Sequence, residues 1–133
     1  RAYIEATAYG TRMILEQYEK NGIVIKNICA AGGIAQKDEM MMQIYADVLG
    51  KDIRIAGSTQ AGALGSAIYA AVAAGLYENV ADAAARLANP YSRTYQPIAE
   101  HRAVYDDLYR EYTTLHDYFG RGENAVMCRL RGV

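Results

Sequence analysis

Ile28-Cys29-Ala30-Ala31-Gly32-Gly33 is the segment of this sequence best suited to holding a ligand. It ends a β-branched, apolar run and leads into a helical pattern. In open α/β sheets, ligands sit beyond the carboxyl ends of the strands. A Gly-Gly pair there removes two side chains, so a ligand can approach the backbone. The helix that follows offers unpaired N–H groups to anions. The chemistry this suits is a nucleotide cradle. The pair fits neither a Walker A loop nor a GxGxxG fingerprint, so a plain strand-to-helix turn stands as the alternative.

The other reactive residue types carry less. Ser58 and Gln60 follow a second short strand and fall at the same sheet end as Gly32. For Ser58 or Thr59, capping the next helix is the expected role. Asp47 lies in the last turns of a helix, away from the glycines, which suits a structural hydrogen bond. His101 and His116 share no metal spacing and read as surface or partly packed residues. Cys29 reads as a small buried hydrophobe on its strand. Cys29 and Cys128 make no CxxC, which excludes a disulfide scaffold or zinc module.

These residues need elements to place them. Ile4, Ala8, Thr11, Leu15 and Tyr18 step by helical intervals, predicting a helix over 1–20 that stops at Asn21-Gly22. Residues 23–30 read as a buried strand. A helix is expected from Gln36 to Leu49, with Met41, Ile44, Tyr45 and Val48 on one face and Gly50 ending it. Asp38 and Glu39 sit in its first turn, favoured by the helix dipole. Residues 51–55 form a short strand with Ile53 and Ile55 on one face. The uncharged stretch 55–77 is long enough to span a bilayer, but its Ser, Thr, Gln and Gly content argues against that. Leu64, Ile68, Val72 and Leu76 recur every fourth residue, so it reads as a soluble, tightly packed buried helix. Asn79 caps a short helix through Leu87, residues 91–96 are extended, and Pro97 limits any strand there to an edge. The last helix, 99–119, is expected to present Val104, Leu108 and Leu115. For Tyr105, Tyr109, Tyr112 and Tyr118, core packing and an interface to another domain or subunit are both open. Residues 121–133 read as a loose tail.

Strands alternating with helices indicate an α/β fold with parallel pairing. Two strands cannot make a complete open sheet, so further strands are expected upstream. The sequence begins at Arg1 with no methionine or apolar leader, and is expected to be cut from something longer. Its 133 residues are 52% hydrophobic and 22% charged, with 14 Lys+Arg against 15 Asp+Glu. That composition is globular rather than disordered. The near-zero net charge excludes a strongly cationic nucleic-acid binder and gives no reason for a membrane-surface role.

Taken together, Gly32-Gly33, Ala46-Asp47-Val48-Leu49-Gly50, the strand 53–55 and Ala63-Leu64-Gly65-Ser66-Ala67 resemble the C-terminal domain of the FGGY carbohydrate kinases. The opening RAYIEATAYGTR is similar to the helix before that region. Thr94-Tyr95-Gln96-Pro97-Ile98 and LYREYTTLHDYFGRGENAVM are similar to the C-terminal end of the family's L-ribulokinase branch. The resemblance implies part of an actin-like ATPase, ribonuclease-H-like domain, truncated at its N-terminal side. Residues 1–120 would be the nucleotide-binding domain and 121–133 its tail. It implies a cytoplasmic kinase of L-arabinose catabolism that moves the γ-phosphoryl group of MgATP to the 5-hydroxyl of L-ribulose. The cofactors would be ATP and Mg2+, and the sugar would bind through the missing N-terminal domain. Gly32 and Gly33 would lie against the nucleotide, with Gln36 and Lys37 near the adenosine. Ile34 departs from the smaller residues usual after the Gly pair. No counterpart of the family's catalytic aspartate is found, so the chain alone is expected to be inactive. A kinase for another pentulose, or a non-catalytic actin-like domain in assembly or regulation, is the alternative, and a homo-oligomer is compatible with either.

Overall fold

The computed structural model describes residues 1–132; the last residue of the expected tail, Val133, lies outside them. Helix α1 (Ala2–Lys20) leads to strand β1 (Ile28–Ala30), then α2 (Gly33–Lys37), α3 (Glu39–Leu49) and β2 (Ile53–Ile55). There follow α4 (Ala61–Ala73), α5 (Val80–Leu87), β3 (Arg93–Tyr95), α6 (Ala99–Gly120) and α7 (Val126–Leu130). The sheet order is β1-β2-β3. β1 and β2 are parallel, with Ile28 beside Ile53 and Ala30 beside Ile55. β3 runs antiparallel to β2 at the edge, with Arg93 beside Ile55. This agrees with the α/β expectation and with an edge strand before Pro97.

The register puts Ile28, Ala30, Ile53 and Ile55 on one sheet face, where they pack with Ala35, Met42, Ala46 and Leu49. Ile53 and Ile55 are fully buried, each stabilising by about 1.5–3 kcal/mol. Cys29 points to the other face and is exposed, contrary to the expectation of a buried thiol. The expected strand over 23–30 also shortens to three residues. Ile23 and Val24 are exposed, because β1 is the edge of the three-stranded sheet and, among the described residues, no strand lies alongside to pair with this stretch.

The single helix expected from Gln36 is two. Asp38 breaks it: its carboxylate accepts the Met41 N–H at 2.9 Å and caps α3. Gln36 and Lys37 therefore end α2 rather than open the long helix. Gly50 closes α3 in the left-handed conformation, φ 61°. Asn79 caps α5 as expected, accepting from Asp82 N–H.

Four further expectations change. Helix α4 is not enclosed: Ile68 is its buried residue, Leu76 lies beyond its end and is exposed, and a Cβ on Gly62 or Gly65 would meet nothing within 4 Å. Its main contact is α5, so among the described residues no element approaches closely enough to need the small residues. Its start is not capped by a side chain; Ser58 Oγ instead accepts from Gln60 N–H just before it. On α6 the outward stripe is Val104, Leu108 and Leu115, and the inward one is Tyr105, Tyr109 and Tyr112. Polarity of the opposing wall explains the choice. Helix α1 turns Glu5, Arg12 and Glu16 inward, and the Tyr105 and Tyr109 hydroxyls donate to Glu5 and Glu16. The Arg12 guanidinium lies 4.2 Å from the Tyr109 ring centroid. Leucines at those positions could not satisfy the acids. The region expected to be a loose tail carries α7, which contacts α6. Among the described residues, no helix is long and apolar enough to cross a membrane.

Candidate functional site

Parallel pairing of β1 and β2 brings two loops to one end of the sheet: Ala31-Gly32 before α2, and residues 56–60 before α4. Gly32 is the N-cap residue of α2, at φ 101° and ψ 172°. That backbone region is essentially restricted to glycine. Gly33 has no positive φ. A Cβ on either glycine would meet nothing within 4 Å, so the turn faces open space. The pair thus splits into two roles: Gly32 makes the turn, and Gly33 leaves room beside it.

A cavity of about 280 Å³ opens at this same end. Gln36, Thr59, Ser92, Arg93 and Tyr95 supply its polar lining, and Ile55 and Ala35 its apolar wall. Ser92, Arg93 and Tyr95 were not among the sequence candidates. The signal was the antiparallel edge strand, whose start must fall where β2 ends. Arg93 is tied to Glu39 and Tyr95, and those acceptors keep its guanidinium firmly charged. Gly57 has a packing reason: a Cβ there would run into the Pro90 carbonyl.

The four sequence candidates are close in the chain but differ in setting. Gly32 and Gly33 form the turn. Lys37 is exposed at the end of α2. The Gln36 side chain reaches across to the β2–α4 loop, where Nε2 donates to Ala56 O at 3.2 Å and Ser58 O at 2.9 Å. Asp47 stands apart, fully buried in α3, where it accepts bonds from Gln43, Ile98 and His101. That matches the structural role read for it. Among the described residues, no group of three or more His, Cys, Asp or Glu side chains is placed to hold a metal.

An open Gly-Gly turn beside a polar cavity at the carboxyl ends of parallel strands can admit a phosphorylated ligand with its backbone N–H groups and polar side chains. Known proteins give this geometry a context. The profile of the FGGY family of carbohydrate kinases, C-terminal domain, matches residues 1–74. The chain is 50% identical over 135 residues to a ribulokinase of Geobacillus thermodenitrificans, covering 98% of this chain and 24% of that protein. It is 46% identical over 137 residues to a ribulokinase of Halalkalibacterium halodurans, covering 100% of this chain and 24% of that one. The chain therefore spans about a quarter of the length of these relatives. Among solved structures, it is similar to a xylulose kinase from Rhodospirillum rubrum, at TM-score 0.71 and 26% identity over 87% of this chain and 23% of that one. A ligand-bound xylulose kinase from Lactobacillus acidophilus shares the fold, with TM-score 0.67 over 88% of this chain and 23% of that one.

Proposed function

Because the chain belongs to the FGGY family of carbohydrate kinases, we propose that it forms the ATP-binding part of an enzyme that phosphorylates the 5-hydroxyl of L-ribulose. The observation that carries the substrate is the 50% identity to a ribulokinase across 98% of the chain. The solved xylulose kinases support the fold at lower identity.

The residues present fit a nucleotide. The space a Cβ would occupy at Gly32 and Gly33 is empty, and the polar cavity lies at the same sheet end. ATP, carried with Mg2+, supplies the transferable phosphoryl group. This chain's residues hold and orient it: Gly32 and Gly33 bring backbone against the nucleotide, and exposed Lys37 offers a cation from the end of α2. Such transfer depends on positioning and on neutralising charge from several sides. The sugar and the general base that takes its proton belong to the remainder of the enzyme, so the 133 residues alone bind nucleotide without turnover. Residues 1–120 are the working body of this part and 121–133 an appendage.

The test is a chimera in which this chain replaces the matching quarter of the Geobacillus thermodenitrificans ribulokinase. It should convert L-ribulose and MgATP to phosphosugar and ADP, and the chain alone should not. A folded chimera that binds no ATP, or binds it without transfer, would overturn the assignment of this chain as the ATP-binding part of such a kinase. Self-association of the chain with no response to ATP would favour a non-catalytic assembly role.

A further inference from the structure

Gln36 belongs to α2, yet its amide group is engaged in the neighbouring loop. The two Nε2 hydrogens reach two different carbonyls, Ala56 O and Ser58 O. Ala56 is also held from its other side, where its N–H donates to Ala30 O at 2.9 Å. The Gln36 backbone N–H closes the set by donating to Gly32 O at 3.2 Å. A continuous ring of hydrogen bonds thus runs from the end of β1 through the Gly-Gly turn, across the Gln36 side chain, and back through the β2–α4 loop.

We infer that Gln36 is a positioning residue that clamps the Gly32-Gly33 turn to the loop 56–60, so that both sides of the nucleotide site keep one spacing. The inference rests on the kinase reading above and gives Gln36 a different task from touching the adenosine. To donate to a ligand, Nε2 would have to release a loop carbonyl. The clamp needs a two-hydrogen donor at this reach. A glutamate would set a negative charge against two carbonyl oxygens, and a methionine would fill the space but leave both carbonyls unpaired. A ligand gripped through backbone groups on two loops is sensitive to their separation, whereas the reacting groups supplied by the rest of the enzyme are not. The clamp therefore acts on ATP affinity rather than on turnover.

The test uses Gln36→Met, Gln36→Glu and Gln36→Lys in the chimeric kinase, with hydrogen exchange followed at residues 57–60. Met and Glu should raise KM for ATP by about tenfold, the scale of one or two lost hydrogen bonds. They should leave kcat and the sugar KM nearly unchanged and speed exchange in the loop. Lys, whose ammonium can donate to both carbonyls, should restore KM and exchange together. A higher ATP KM with unaltered loop exchange would overturn the clamp in favour of direct contact. Faster exchange with unaltered ATP KM would overturn the positioning role while leaving the kinase reading intact. A wild-type chimera with no ATP-dependent turnover would instead remove the reading on which the role depends.

Discussion

His101 Nδ1 lies 2.8 Å from Asp47 Oδ2, joining the first turn of α6 to the buried side of α3. The other carboxylate oxygen of Asp47 accepts from Ile98 N–H and Gln43 Nε2, each at 2.8 Å. Ile98 is the N-cap residue of α6. One buried acid on α3 therefore anchors the start of a helix far along the chain.

Replacing Asp47 with Ala should destabilise by about 2–4 kcal/mol, because three donors lose their acceptor in a buried place. Replacing the largely exposed His101 with Ala should cost no more than about 1 kcal/mol. Urea midpoints of the two variants measure this directly. Equal losses would show that the His101 contact, not the Ile98 and Gln43 bonds, anchors α6.

The Tyr9 hydroxyl is buried with no hydrogen-bond partner among the described residues. Its ring packs between Tyr105, Tyr109 and Tyr112, with centroids 5.4–6.3 Å away. Tyr9→Phe keeps those ring contacts and removes the orphan group, so it should raise stability by about 1 kcal/mol. A lower denaturant midpoint would mean that the hydroxyl has a partner after all.

Burial, with help from Glu5, pushes Tyr9 up to about 12, and burial with the Glu16 hydrogen bond does the same for Tyr109. The unfolded chain loses these protons near pH 10, the folded chain only near 12. Above pH 10 the unfolded state binds fewer protons, so stability is fully present below that pH and falls as pH rises toward 12. Each tyrosine removes roughly 2 kcal/mol over this window, at about 1.4 kcal/mol per pH unit. Stability measured across alkaline pH should fall less steeply in Tyr9→Phe and Tyr109→Phe. An unchanged slope in both would place the titration elsewhere.

Gly32 and Gly33 should separate by substitution. Gly32→Ala forces a side chain into the φ 101° conformation and should cost about 1–3 kcal/mol of stability. Gly33→Val meets open space, so the melting temperature should hold while ATP affinity in the chimeric kinase falls. A large melting loss at Gly33 with unchanged affinity would mean that the second glycine serves only the turn.

Gly65 lies in α4 with nothing near its missing Cβ. Gly65→Ala in the 133-residue chain should therefore stabilise by about 0.5–1 kcal/mol through helix propensity alone. Thermal melts of the two chains compare them. A loss would show that a neighbour packs against this face.

Much of the architecture was legible because local patterns and packing agree. Ile53 and Ile55 alternate with Arg54 and are buried on one face, and Asn79 caps α5 as its position implied. The Gly-Gly turn could be placed at the strand end from residue types alone. The failures share a cause: one-dimensional patterns do not say what stands opposite. Val104, Leu108 and Leu115 look like a core stripe until α1 is seen to present acids and an arginine to α6. The Ala-rich stretch looks buried until α5 is seen to be the main element against α4 among the described residues. Gln36 gave no warning of its reach to Ala56 and Ser58, because that contact bridges 20 and 22 residues.

Among the described residues β1 pairs on one side only, and the apolar residues 23–25 lead into it without a neighbouring strand. An unpaired strand edge is a template for another chain to add to. Ile23, Val24 and Ile25 precede that edge strand, with Lys26 as the charge that follows them. Purified alone, this polypeptide would face a shelf-life problem set by concentration: strand addition between copies grows with crowding. Arginine or lysine at Val24, exposed to solvent and outside β1, is the change that would lengthen storage without touching the core.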